Sequence, residues 1–201
     1  MTERLPVIIV DDDDAVREAL LWLCEAQGLV AEGFASGEAL LSSGRAAGAA
    51  CLVLDMRLSG ISGLMLFEQL KAAGRYCPPV IFLTGHADVP LAVAALKLGA
   101  VDFLEKPFDD EALLARIEQC LANDATQRQQ YQQQQRVRQS LAQLTERERQ
   151  VMELVLKGQL NKQIADQLAI SMKTVEVHRA RALEKMGVKS AVELASLLRD
   201  A

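Results

Sequence analysis

Five short apolar runs, each stopping at a polar or charged residue and each followed by a helical pattern, fill the amino-terminal part of the chain. Residues 6–10 end at Asp11-Asp12-Asp13-Asp14, and a pattern through Val16, Leu20 and Leu23 follows until Gly28. The same unit recurs with residues 29–34 before 36–43, 51–55 before 62–73, 80–84 before 89–98, and 101–105 before 109–121. Strands alternating with helices in this way predict an α/β fold with a five-stranded, doubly wound parallel sheet. Cys51-Leu52-Val53-Leu54 is apolar throughout rather than alternating, as a central strand covered on both faces requires.

In such a sheet the loops that leave the strand ends share one crevice. The sequence delivers Asp11 and Asp12 to it after the first strand, Asp55 after the third, Thr84 after the fourth and Lys106 after the fifth. Three carboxylates close together repel unless a cation sits among them. Mg2+ suits the set, because it takes hard oxygen ligands and is usually held by one or two carboxylates together with phosphate oxygens. A Lys ammonium and a Thr hydroxyl beside it would complete the surroundings of a transferring phosphoryl group, with Asp55 as nucleophile and Lys106 paired to the product. Asp13 and Asp14 read differently, as the N-cap and acidic first turn of the first helix.

Charge divides the chain. Residues 1–122 hold 9 Lys and Arg against 18 Asp and Glu, whereas residues 123–201 hold 13 against 9. An acidic module for cations is thus joined to a basic one suited to polyanions. Cys24, Cys51, Cys77 and Cys120 lie far apart with no C-x-x-C pair, which points to reduced, structural thiols in a cytoplasmic protein. Neither a signal sequence nor an apolar stretch long enough for a membrane span is present, so no membrane association is expected.

Val10-Asp11-Asp12, Leu54-Asp55-Met56-Arg57, Leu83-Thr84-Gly85-His86 and Phe103-Leu104-Glu105-Lys106-Pro107-Phe108 resemble the receiver domain of two-component response regulators, over residues 5 to about 121. Thr84 to Pro90 and Gly99 to Phe103 are similar to the FixJ type. The resemblance implies a flavodoxin-like receiver whose Asp55 takes phosphate from a sensor histidine kinase. It also implies Mg2+ ligated by Asp12, Asp55 and the backbone carbonyl of Arg57, with Asp11 acting through water. Thr84 and Phe103 would form a switch pair, and Lys106-Pro107 a cis peptide. One position departs: Ser59 stands where the family usually has Pro, which loosens the loop after the acceptor. Arg57 and His86, each two residues past a site residue, are expected to set the lifetime of the phosphorylated state.

Residues 122–143 are rich in Gln and have neither Gly nor Pro, so a solvated helix extending the last receiver helix, or else a polar tether, connects the halves. Val137, Leu141 and Leu144 form a weak stripe that falls short of a coiled-coil repeat. From Leu144 onward the pattern predicts four helices: a capping box at Thr145 and Glu148, a second helix capped by Asn161, a third capped by Ser171, and a fourth opened by Ser190. Two short helices joined by Ala169-Ile170-Ser171, the second carrying Lys173, Arg179, Arg181 and Lys185 largely on its outer face, form a helix-turn-helix. Leu144 to Glu148, Asn161 to Ala165 and Ser171 to Arg179 resemble the LuxR-type DNA-binding domain; with the receiver, this is the plan of the FixJ/NarL family.

The expected domains are therefore a receiver at 1–121, a helical linker at 122–143 and an all-α helix-turn-helix domain at 144–201. Residues expected to face double-stranded DNA are Lys173, Thr174, Val177, His178, Arg179 and Arg181, with Asn161 and Lys162 nearer the phosphates. His178 could equally be packed between helices. Glu176 places an acid where some relatives have a base, and an acid accepts a hydrogen bond from cytosine. The whole reads as a transcription regulator, not an enzyme in the ordinary sense, that dimerises on phosphorylation, binds promoter half-sites and can meet RNA polymerase. A receiver that does not respond to phosphate and an Asp-nucleophile phosphohydrolase are the alternatives.

Overall fold

The computed structural model describes residues 5–85 and 89–199. Its chain divides into two compact units, one ending at Arg128 and the other beginning at Gln129.

The first unit is built on β1 (Val7–Val10), β2 (Ala31–Phe34), β3 (Cys51–Asp55), β4 (Val80–Thr84) and β5 (Asp102–Glu105), all parallel, in the order β2-β1-β3-β4-β5. Its helices are α1 (Asp14–Ala26), α2 (Gly37–Ser43), α3 (Gly63–Ala72), α4 (Val89–Leu98) and the start of α5 (Asp110–Ala142), with a short 3-10 turn at Ala46–Gly48. Side chains along a strand alternate between faces, and this divides the core into two layers. Ile8, Val10, Leu52, Leu54 and Phe82 pack with Leu40 of α2, Leu66 and Phe67 of α3 and Ala95 of α4. Val7, Ile9, Cys51, Val53, Ile81 and Leu83 pack with Leu20 and Cys24 of α1 and with Leu113, Ile117 and Cys120 of α5. Both faces of the middle strands are buried, which is why their sequences do not alternate.

Local chemistry sets where the helices begin. Asp13 caps α1 through its carboxylate, Ser36 caps α2 and Ser62 caps α3; each side-chain oxygen takes an amide that the first turn leaves free. Asp14 occupies the first turn of α1 and pairs with Arg17. β2 and β5 are shorter than the apolar runs suggest, starting at Ala31 and Asp102. Helix α5 does not stop at Leu121. Its 33 residues contain nothing that breaks a helix, and its early turns belong to the first unit: Tyr76 donates to Asp124 at 2.7 Å, and Arg128 donates to the carbonyls of Ala47 and Ala49, each at 2.7 Å.

The second unit contains α6 (Glu146–Leu156), α7 (Asn161–Leu168), α8 (Met172–Lys185) and α9 (Ala191–Arg199). Val151, Leu154, Val155, Ile164 and Val175 make one apolar cluster, and Val137, Met152, Ala182, Met186 and Leu194 another. The Thr145–Glu148 capping box forms as the sequence predicts. The cap of α7 does not: Asn161 is the first helical residue, and the free amide of Leu160 is taken by Gln163 Oε1 at 2.9 Å. A glutamine three residues on does what a polar cap would have done. Ala169, at φ 54°, ends α7 in the left-handed conformation and starts the tight turn into α8. All four cysteines are free, three of them buried in the layer facing α1 and α5. Burial pushes the Cys24 thiol up to about 11, where it is unreactive. Among the described residues no helix is long and apolar enough to cross a membrane.

Candidate functional site

The carboxyl ends of β1, β3, β4 and β5 converge as the sequence predicts. Asp11 lies fully buried and Asp55 is 9% exposed, and Lys106 Nζ bridges them, 2.8 Å from Asp11 Oδ2 and 2.7 Å from Asp55 Oδ2. Asp12 is exposed at the mouth, and oxygens of Asp11, Asp12 and Asp55 all come within 4.8 Å of one another. An all-oxygen set of this size, with an exposed member on the solvent side, fits a hard divalent cation such as Mg2+.

Backbone donors hold all three acids, two of them within their own loops. The amide of Asp13 bonds Asp11 Oδ1 at 3.0 Å, and that of Arg57 bonds Asp55 Oδ1 at 2.9 Å. Burial pushes the Asp11 carboxyl up, against the pull of Lys106. Burial also presses the Lys106 ammonium down, but its bonds to Asp11 and Asp55 outweigh that and leave it raised. Thr84 is buried, its hydroxyl donating to the Gly85 carbonyl at 3.3 Å, and Lys106 donates its amide to the Thr84 carbonyl at 2.7 Å. Phe103 lies across from Phe82 in the sheet, half-buried against the layer that faces α2 to α4. The Lys106-Pro107 peptide is cis. His86 lies outside the described residues.

Three features of this site escape a sequence reading. Gly63 must be glycine, because a Cβ there would lie 2.1 Å from the Asp55 carbonyl oxygen; the start of α3 sits directly on the acceptor's backbone. Ser59, where proline would remove the donor, uses its amide to bond Asp12 Oδ2 at 3.0 Å. The Ser59 side chain and backbone bonds hold the Asp12 carboxyl below its ordinary value. Glu38 of α2 reaches the same loop, accepting from the Ile61 amide at 2.9 Å. Gly63 and Ser59 stand close to Asp55 in sequence, but only the fold gives them these partners.

In the helical unit the expected contact residues separate into two groups. Lys173, Val177 and Arg181, spaced four apart on α8, are exposed, and so is Lys162; the apolar Val177 side chain is 42% exposed between two bases. Arg179 turns instead toward α7 and donates to Asn161 Oδ1 at 3.1 Å, while Thr174 shares a 2.8 Å hydroxyl contact with Ser171. His178 is half-buried, with Nδ1 enclosed and unpaired among the described residues. Lys185, which the sequence places on the outer face, turns inward to Glu148 at 2.6 Å and to the Gln143 carbonyl at 3.1 Å. A buried carboxylate left by the capping box draws it there.

A flavodoxin-like sheet with a lysine-bridged acidic crevice at its strand ends, followed by a helix-turn-helix unit, defines a receiver joined to a DNA-binding module. The family model of the response regulator receiver domain matches residues 7–118, and that of bacterial regulatory proteins of the luxR family matches residues 142–198. The transcriptional regulatory protein FixJ of Azorhizobium caulinodans is 48% identical over 96% of this chain and 92% of its own length. The C4-dicarboxylate transport transcriptional regulatory protein DctR of Rhodobacter capsulatus is 44% identical over 95% and 98%. Among solved structures, the response regulator StyR superposes with a TM-score of 0.75 at 42% identity, over 98% of this chain and 99% of that one. The receiver part of FixJ does so with a TM-score of 0.55 at 37% identity, over 60% and 96%. The chain belongs to the response regulators that combine a receiver with a LuxR-type DNA-binding domain, and it is a transcriptional regulator of the FixJ kind.

Proposed function

We propose that Asp55 accepts a phosphoryl group from a sensor histidine kinase and that its charge governs promoter binding by α8. The observation that carries this is the Lys106 bridge: one ammonium holds Asp55 and Asp11 beside an exposed third carboxylate. An Asp55 carboxylate oxygen forms the new bond to phosphorus as the bond from phosphorus to the kinase imidazole nitrogen breaks, and the imidazole leaves with a proton. Asp12, Asp55 and the Arg57 carbonyl would hold Mg2+ directly and Asp11 through water; the ion supplies positive charge for the oxygens of the transferring group. Lys106 stays within reach of the product, and the Thr84 hydroxyl leaves the Gly85 carbonyl for a phosphoryl oxygen while Phe103 turns inward. Arg57 and His86 set how long the product lasts.

Phosphorylation shifts the receiver toward a state that dimerises through α4 and β5, so that two helical units bind paired half-sites in the cytoplasm and can meet RNA polymerase. Lys173, Thr174, Val177 and Arg181 face the major groove, and the Arg179–Asn161 pair lies with Lys162 at the phosphates. His178 supports α8 from within, as its enclosed Nδ1 favours.

Incubating the full chain and Asp55→Ala with Mg2+ and acetyl phosphate, then measuring mass and size, tests this reading. The expected result is one phosphoryl adduct with dimer formation, absent from the variant. Repeated turnover of varied phosphoesters would make the protein a phosphohydrolase, and no adduct would mean a receiver that works without phosphate.

A further inference from the structure

The loop between β3 and α3, residues 56–62, has to present the Arg57 carbonyl in a fixed place, yet it lacks the proline that would stiffen it. Its ends are pinned: the Gly63 amide donates to the Met56 carbonyl at 3.1 Å, and Gly63 lies against the Asp55 backbone. Its middle is held by two carboxylates. Asp12 takes the Ser59 amide and Glu38 takes the Ile61 amide, at 3.0 and 2.9 Å.

The first turn of α2 is fitted to this loop at three points. Besides the bond to Ile61, the Glu38 carboxylate occupies the space beside Gly60, where a Cβ would meet Oε1 at 2.4 Å and where φ is +93°. Gly37 makes room for Ile61, since a Cβ there would come within 2.8 Å of the isoleucine side chain. Asp12 and Glu38 are not equivalent as tethers. Asp12 is itself a proposed ligand of the cation, so binding competes with its bond to Ser59 for the same carboxylate. Glu38 stands outside the ligand set, so cation binding makes no claim on its carboxylate.

The geometry points to Glu38 as a positioning residue of the phosphoacceptor site: it fixes the Gly60–Ile61 backbone and thereby the Arg57 carbonyl offered to the cation. This rests on the reading of the crevice as a Mg2+ site. Groups that orient metal ligands from outside typically change affinity by about 10–100-fold when removed. Glu38 acts through several residues of backbone, so the lower end applies.

The test is an NMR titration of the full-length protein with MgCl2, together with amide exchange of the metal-free protein, for wild type, Glu38→Ala and Glu38→Gln. Glu38→Ala is expected to weaken Mg2+ binding about tenfold and to speed exchange at Ser59 and Ile61 before any metal is added. Glu38→Gln keeps an acceptor oxygen for the Ile61 amide and is expected to recover most of both. The proposal is overturned if Glu38→Ala binds Mg2+ within about twofold of wild type, or if Glu38→Gln is as weak as Glu38→Ala. Should the wild type itself not bind Mg2+, the reading of the crevice fails, and unchanged exchange at Ile61 in Glu38→Ala would separately overturn the tether.

Discussion

Each compact unit holds a lysine against a buried carboxylate at nearly the same distance, 2.7 Å from Lys106 to Asp55 and 2.6 Å from Lys185 to Glu148. The surroundings separate them. Glu148 Oε2 also accepts the Thr145 amide at 2.9 Å, and Lys185 also bonds the Gln143 carbonyl, so every group in that pair is committed to joining α6 and α8. Lys106 instead spans two acids that repel each other, beside a third at the solvent edge. A pair locked into a helix cap stabilises one structure. A pair in which the cation is shared among competing anions can be rearranged when a further charge arrives.

The sharpest way to break the comparison is to remove each lysine. Lys106→Ala leaves Asp11 buried without its cation. Losing one partner of a fully buried pair costs about 3–5 kcal/mol; with Lys106 27% exposed, a loss of about 3 kcal/mol is expected in chelator. Mg2+ should restore most of it, as calorimetry of the receiver transition would read; a loss that Mg2+ leaves untouched would make Lys106 as structural as Lys185. Lys185→Ala removes a hydrogen bond to a charged group and should lower the helical unit by about 2 kcal/mol, with or without Mg2+.

Acid offers a subtler contrast. The Lys185 bond, and after it the Thr145 amide, holds the Glu148 carboxyl down to about 2 from an ordinary 4.5. Its folded value is depressed, so its stabilisation is complete above 4.5 and is lost as the pH falls toward about 2. Circular dichroism during acid titration should show the helical unit of Lys185→Ala unfolding at a higher pH than wild type. The smallest effect concerns Lys162, an exposed base of α7. Lys162→Ala should weaken operator binding about uniformly across sequences and lower the salt slope by about one.

Strand ends were legible because burial on both faces writes an unbroken apolar run: 51–55 and 80–84 match β3 and β4 at both ends. The acids, Thr84 and Lys106 were legible because a parallel sheet leaves such groups nowhere else to gather. Asn161 misled, since a cap is a competition and Gln163 wins the Leu160 amide. Lys185 misled because a base on a helix surface says nothing about a buried carboxylate 37 residues earlier. The Ser59–Asp12 bond joins residues 47 apart, and the Glu38–Ile61 bond joins residues 23 apart; neither leaves a local signature. An acid in the first turn of a short helix is ordinary on its own.

The bonds from Arg128 to the carbonyls of Ala47 and Ala49, and from Tyr76 to the buried Asp124, bear on where the receiver ends as a piece of material. A fragment cut at Leu121, where the acidic composition gives out, would keep the sheet and lose the guanidinium that closes its lower rim. The Ala47 and Ala49 carbonyls would lose their Arg128 donor, and Tyr76 its bond to Asp124. The smallest fragment that retains every one of those bonds ends at Arg128, within a helix rather than between two, so the seam between the units runs through continuous α-helical backbone and not through a loop.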